Sequence, residues 1–383
     1  MISSTSTSSS SAPATSASAS ATTSECTRPL LSVLVPIYNV ERYLETCLTS
    51  LVTQSYNKFE VLLLNDGSTD ASGRIAARFA QTYDFVRLIN KKNTGYGATL
   101  NEGLGQARGR YIAFLESDDS MYPNALQYLM QHAIKADADI VRGAFSLFWE
   151  KQNKALVQHP YPADLIGRTK DLRADLRVFL TRPAIWNGVY KKHLLDDNSI
   201  YFLQTPGAAY QDTSFAFKTY AAAQKVLLLD TPVVYYRQDN ETSSVRSRGK
   251  VYAVCQEFDE IDRWLTHRNN QNFELALRNA SFIARYNAYL WNLDRIAQEF
   301  QEEFIMHMSK EFSLMDDAGR IDWSLIDDWR ALNLRTIMHD PQQYLHTRQR
   351  LHGPNPLAKA AFALELGGTG ALFAALKERK GRK

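Results

Sequence analysis

The chain has 383 residues, enough for two domains, and its 45% hydrophobic, 11% aromatic and 22% charged side chains are the balance of a globular protein. A net charge of +3, from 44 basic and 41 acidic residues, makes no demand for a nucleic-acid partner. Cys26, Cys47 and Cys255 have no paired spacing, which argues against a disulfide framework or a cysteine-based zinc site and fits a reducing compartment.

Residues 1–27 are Ser, Thr and Ala with almost no large apolar side chain, so a disordered tail is expected there. The tail lacks the basic and apolar regions of a secretory signal. From Leu31 to about Phe148, β-rich runs at Leu31–Ile37, Phe59–Asn65, Val86–Asn90, Tyr111–Glu116 and Ile140–Phe145 alternate with helical stretches near Val40–Gln54, Ala71–Thr82, Gly97–Ala107 and Pro123–Ala136. Near-continuous apolar strands in such an alternation predict an α/β fold, a Rossmann-like, mostly parallel sheet with helices on both faces. Residues 149–250 are less regular, with apolar pieces at Ala184–Tyr190, Val226–Leu229 and Val233–Tyr236. Residues 251–383 read as a helical region in which Trp264, Trp291, Trp323 and Trp329 are expected packing anchors. No run of about 18 apolar residues predicts a membrane-spanning helix. The C-terminal ALFAALKERKGRK offers either a packing helix or an interfacial one, so the expected location is cytoplasmic with peripheral contact at the inner face of the plasma membrane.

Ligands of such sheets bind beyond the C-terminal strand ends. Those ends carry Pro36-Ile37-Tyr38-Asn39, then Asn65-Asp66-Gly67-Ser68, then Asn90 to Gly97, then Glu116 to Asp119. Clustered carboxylates at a strand tip repel one another unless a cation compensates, and hard oxygen ligands suit Mg²⁺ or Mn²⁺. Asp66 can meet a nucleobase or ribose, while Ser68 or Thr69 can cap the next helix. Gly95 and Gly97 allow close backbone approach, but Leu100 rules out the dinucleotide fingerprint. Asp212 opens a helical segment as either a cap or a base for an acceptor hydroxyl. The loop running from Arg237 through Ser243, Ser244, Arg246 and Arg248 to Lys250 is polar and basic, suited to pyrophosphate or simply to solvent. There is no HExxH, GxSxG or P-loop.

Together LSVLVPIYNVERYLETCLTSLVTQSY, LLLNDGSTD and FLESDD resemble the openings, nucleotide motif and metal motif of family 2 glycosyltransferases, over Leu31 to about Ala144. AIWNGVYKKHLL with Trp186, TPGAAYQDTSFAFK and VVYYRQDNETSSV look like a bacterial branch making surface or capsular glycans. The resemblance implies the A-type glycosyltransferase fold, with a nucleotide-sugar half at 28–148 and an acceptor half at 149–250. It implies inverting transfer from a nucleotide-diphosphate sugar, a UDP-sugar, to a glycan or lipid-linked acceptor. Pro36, Tyr38, Asn39, Asp66, Gly95, Asn101, Asp118 and Trp186 would bind substrate, with Arg237 and Lys250 closing over the diphosphate. Asp119, with Asp118, would hold Mg²⁺ or Mn²⁺, and Asp212 would be the catalytic base. Glu116 and Gln211 depart from the family pattern, which has aspartate and glutamate there. Thr99-Leu100 replaces the Ala-Arg often seen before the residue matched by Asn101. The processive QxxRW motif is missing. A sugar nucleotidyltransferase would carry a Gly-rich loop with an Arg-Lys signature, which Leu31–Tyr43 lacks. A non-catalytic binding module is the other alternative.

Overall fold

Ten strands form one sheet in a computed structural model that describes residues 29–171, 175–240, 250–267, 271–351 and 356–381. The tail expected at 1–27 and the loop residues Ser243, Ser244, Arg246 and Arg248 lie outside the described residues. Strands β1 (Leu31–Ile37), β2 (Phe59–Asp66), β3 (Val86–Lys91) and β4 (Tyr111–Phe114) alternate with helices α1 (Glu41–Val52), α2 (Ser72–Thr82) and α3 (Tyr96–Gln106). The strands pair in parallel in the order β3-β2-β1-β4. Every residue of β1, β2 and β4 is buried, which is why these strands read as unbroken apolar runs. Each fully buried Leu or Phe contributes roughly 1.5–3 kcal/mol to that core.

The sheet continues through β5 (Ser120–Met121), β6 (Ile140–Trp149), β7 (Lys154–Gln158), β8 (Thr169–Lys170), β9 (Gly188–Lys191) and β10 (Val226–Arg237), with α4 (Ala125–Ala136), α5 (Lys192–Asp197) and α6 (Gln211–Ala222) between them. β9 wedges between β4 and β6, antiparallel to both. Glycine is required at its start, because a Cβ on Gly188 would lie 2.3 Å from the Val141 carbonyl oxygen. The two apolar pieces expected at Val226–Leu229 and Val233–Tyr236 are one strand, whose register against β6 shifts around Pro232.

The remaining helices are α7 (Ala253–Thr266), α8 (Gln271–Leu293), α9 (Gln298–Asp317), α10 (Asp328–His339), α11 (Pro341–Leu351) and α12 (Pro356–Gly381). α7 packs on α6, and α8 packs on α7 and on residues 176–180, so one apolar cluster runs from Leu31 to Phe362. Trp264, Trp323 and Trp329 pack against this cluster. Trp291 differs from expectation: it is 47% exposed and lines the cleft. α12 is two helices joined at a kink, with Gly367 at φ −160° and Gly368 at φ +64°. Contrary to the expectation from uninterrupted runs, Leu357–Lys377 is long and apolar enough, by length and composition, to cross a membrane. Lys359 and Glu365 break the apolar run, which hides the segment from that test.

Candidate active site

One cleft of about 1220 Å³ opens at the C-terminal ends of the parallel strands and is walled on its far side by α6, α8 and residues 178–186. Pro36, Tyr38, Asn39, Asp66, Gly95, Glu116, Asp118, Trp186, Asp212 and Lys250 all line it. Asn39 sits in the left-handed region at φ 51° and locks two loops together. Its Oδ1 accepts from the Thr69 N–H at 2.8 Å, and its own N–H donates to Ser68 Oγ at 3.2 Å. Neither Ser68 nor Thr69 caps α2 as expected; the Ala71 N–H donates to Glu41 Oε2 across the loops instead, at 2.7 Å. Asp66 ends β2 and is 5% exposed. Its Oδ1 accepts from Lys91 Nζ at 2.6 Å and the Thr94 N–H at 2.9 Å, while Oδ2 accepts from the Gly95 N–H at 3.0 Å. Gly95 has φ +92°, and a Cβ there would lie 2.8 Å from the Thr205 carbonyl oxygen, so glycine is required. Asn101 does not reach the cleft. It clasps Phe202, donating to the carbonyl and accepting from the N–H, both at 2.9 Å.

The acidic loop after β4 divides its carboxylates between cleft and interior. Glu116 and Asp118 line the cleft. Burial pushes Glu116 up to about 8; the Tyr96 hydroxyl, donating at 2.5 Å, pulls the other way, and the charges of Asp118 and Asp212 add to the rise. Asp118 Oδ2 accepts from Asn240 Nδ2 at 2.7 Å. Asp119, the residue expected to hold the metal, turns inward and is 2% exposed. Its Oδ1 accepts the Arg237 N–H at 2.8 Å, its Oδ2 is buried without a partner, and burial followed by the charge of Asp118 holds its carboxyl well above the usual range. Arg237, expected over the diphosphate, is committed below the loop. Its Nε donates to the Asp118 carbonyl at 2.8 Å, its Nη1 to Glu150 at 2.7 Å, and its guanidinium lies 4.7 Å from the Tyr43 ring centre.

Glu116, desolvated and raised further by the charge of Asp118, is short of positive charge. Glu116 and Asp118, both facing the cleft with oxygen donors, therefore fit a hard divalent cation. Across the cleft, Asp212 lies in the first turn of α6, behind Tyr210 at φ 62°. Burial pushes its carboxyl up to about 6, opposed by its own backbone N–H, Arg182 and Thr213. Gln211 is 2% exposed: its Nε2 donates to Thr205 Oγ1 at 2.8 Å and its Oε1 accepts the Ala209 N–H at 2.5 Å. A glutamate would lack the Nε2 donor, so the amide is what ties this loop. Lys250 Nζ donates to the Ala208 carbonyl at the cleft edge.

The local sequence did not reveal Lys91, Tyr96, Arg182, Tyr210, Tyr236, Trp291 or Arg295. Lys91 was discoverable only through the register that sets it opposite Asp66. The others converge from separate elements.

The strand tips of the parallel sheet thus bring Asp66, Glu116 and Asp118 into one cleft with Asp212. Residues 32–181 match the family described as Glycosyl transferase family 2. The chain is 31% identical over 229 residues to the uncharacterized glycosyltransferase YibD of Escherichia coli K12, covering 57% of this chain and 64% of that protein. It is 27% identical over 266 residues to the putative glycosyltransferase EpsH of Bacillus subtilis 168, covering 68% and 76%. In fold, the structure of S. aureus TarS residues 1–349 is similar, with a TM-score of 0.60, 19% identity and 92% of each chain covered.

Proposed function

We propose that this chain is an inverting glycosyltransferase that moves a sugar from a UDP-sugar to a hydroxyl of a glycan or lipid-linked acceptor in bacterial surface polysaccharide synthesis. The observation that carries this reading is Asp212, pushed up to about 6, sharing one cleft with Asp66, Glu116 and Asp118. The TarS structures of similar fold include complexes with UDP-GlcNAc and with UDP, which favours a uridine nucleotide here.

Asp66 Oδ2, which accepts a single hydrogen bond from the Gly95 N–H, retains capacity for a nucleoside donor. Glu116 and Asp118 would hold Mg²⁺ or Mn²⁺, which when bound neutralises charge on the leaving diphosphate. Asp119 and Arg237 act beneath them, fixing the loop that presents Asp118. Lys250 stands at the mouth as a diphosphate contact. Asp212 takes the proton of the acceptor hydroxyl as that oxygen attacks the anomeric carbon from the opposite face. A base near 6 is ionised at neutral pH and still accepts a proton readily. At the periphery, exposed Leu357, Leu364, Phe373 and Leu376 with the basic residues from Lys377 onward suit contact with an anionic membrane surface.

Thermal shift with a panel of nucleotide sugars, with and without Mn²⁺, tests the donor reading. A UDP-sugar should raise the melting temperature, and more so with Mn²⁺. Stabilisation by no nucleotide sugar under either condition would contradict it.

A further inference from the structure

The turn that presents Asp212 is strained, and its own residues do not secure it. Tyr210 opens α6 in the left-handed region at φ 62°, a conformation that side-chain-bearing residues other than asparagine and aspartate seldom take. Its side chain does not cap the helix. The Thr213 N–H donates to the Tyr210 carbonyl at 2.8 Å, a tight turn around Asp212.

The missing support comes from the C-terminal helices. The Tyr210 hydroxyl donates to Asn292 Oδ1 on α8 at 2.7 Å. Asn292 is 1% exposed and is itself fixed, its Nδ2 donating to the Val251 carbonyl at 2.9 Å. The Ser214 N–H, two residues beyond Asp212, donates to Glu257 Oε2 on α7 at 3.1 Å, and Glu257 is also 1% exposed. One turn further along α6, Lys218 Nζ donates to Glu260 Oε1 at 3.0 Å and to the Tyr201 carbonyl at 2.8 Å, so α7 grips α6 at two levels. Tyr210 and Asp212 line the cleft, whereas Glu257 and Asn292 stand behind it. A strained backbone persists only where its surroundings over-determine it, and a buried N–H deprived of its acceptor is costly. Removing either contact should therefore relax the turn and admit water to Asp212.

We propose that Glu257 and Asn292 are positioning residues for Asp212: from α7 and α8 they hold the first turn of α6 in the conformation that keeps the Asp212 carboxyl desolvated at the cleft. The C-terminal helices thereby become a working part of the site. This inference rests on the reading of Asp212 as the base.

The test uses the full chain without ligand. Glu257→Met and Asn292→Leu remove the two contacts at similar volume. Glu257→Gln keeps an acceptor for the Ser214 N–H. Burial pushes the Glu257 carboxyl up to about 8, opposed by Ser214, with the charge of Asp212 adding to the rise, so glutamine imitates its neutral form at pH 7. Each change is made with and without Asp212→Asn, and melting temperature is read at pH 7 and pH 4. Of the charged groups that act on Asp212, Arg182 and Glu116 stay in place throughout, and Asn292→Leu leaves Glu257 as well. In the parent chain Asp212→Asn should raise the melting temperature at pH 7 and not at pH 4. That gain should fall by about half or more in Glu257→Met and in Asn292→Leu, and persist in Glu257→Gln. Hydrogen exchange at residues 211–214 should quicken about ten-fold in the first two variants, with β2 unchanged. A merely structural role would lower the melting temperature equally with and without Asp212→Asn. An undiminished gain in both variants would therefore overturn the proposal, as would unchanged exchange at 211–214. Tyr210→Phe, which removes only the hydroxyl that meets Asn292, replaces Asn292→Leu if that variant does not fold. Should Asp212→Asn bring no gain in the parent chain, the reading of Asp212 falls, and exchange at 211–214 alone decides whether Glu257 and Asn292 hold the turn.

Discussion

On the strand-tip wall of the cleft, the proposed donor wall, Asp66 takes hydrogen bonds from Lys91, Thr94 and Gly95, and Asn39 locks onto Thr69 and Ser68. On the opposite wall, the proposed acceptor side, Asp212 is driven up to about 6 by burial, against the opposing charge of Arg182. The donor wall is a self-consistent cradle, settled before any ligand arrives. The opposite wall carries a carboxylate whose charge burial disfavours. Preorganised dipoles suit a constant group such as a nucleotide, whereas a desolvated carboxylate gives reactivity.

The acidic loop joins the two walls, and breaking it should have the largest effect. Asp118→Asn removes a carboxylate that faces the cleft, and nucleoside diphosphate release in the presence of acceptor should fall by about 10²–10³-fold, with loss of its dependence on Mn²⁺. Near wild-type turnover would show that the loop is not the cation site. Next in size is Arg237→Ala, which takes a cation with a 3% exposed side chain from beneath that loop. Chemical denaturation should register a loss of about 3 kcal/mol. A loss of activity at unchanged stability would instead put Arg237 on the substrate. The smallest effect sharpens the acceptor wall. The Asp212 carboxyl is raised in the fold from an ordinary 3.8 to about 6. Its ionised form therefore costs stability above about pH 6 and nothing below about pH 4, where folded and unfolded chains both carry the proton. Asp212→Asn should raise stability by about 1–2 kcal/mol at pH 8, less than the full shift implies because water reaches the cleft, and leave it unchanged at pH 4. Equal stabilisation at both values would mean that Asp212 is not strained by its charge.

The donor wall was legible in the sequence because its residues are local to strand ends. Unbroken apolar runs alternating with period-3.6 patterns place β1 to β4, and whatever follows each strand falls on one edge. Pro36, Asn39, Asp66 and Glu116 to Asp119 were found in this way. Two things were not legible. Inward or outward facing at a strand tip depends on one turn of backbone, so Asp118 at the cleft and Asp119 beneath it look alike in FLESDD. On the opposite wall Asp212 and Trp186 came only from the family resemblance, and their neighbours were hidden for a different reason. Trp186 begins a stretch that ends in an antiparallel wedge, Tyr236 lies on a bulged strand, and Arg295 follows a helix more than a hundred residues away. Their meeting is fixed by packing of α8 against residues 176–180, which has no local signature.

The direct test of the account is Asp212→Asn, assayed for sugar transfer and for nucleotide-sugar binding on the same folded preparation. The account predicts that transfer falls by orders of magnitude, that the wild-type rate climbs as pH passes through about 6 whereas the residual rate of the variant does not, and that donor binding is retained. A variant that transfers sugar at the wild-type rate, with the same pH profile, would contradict it.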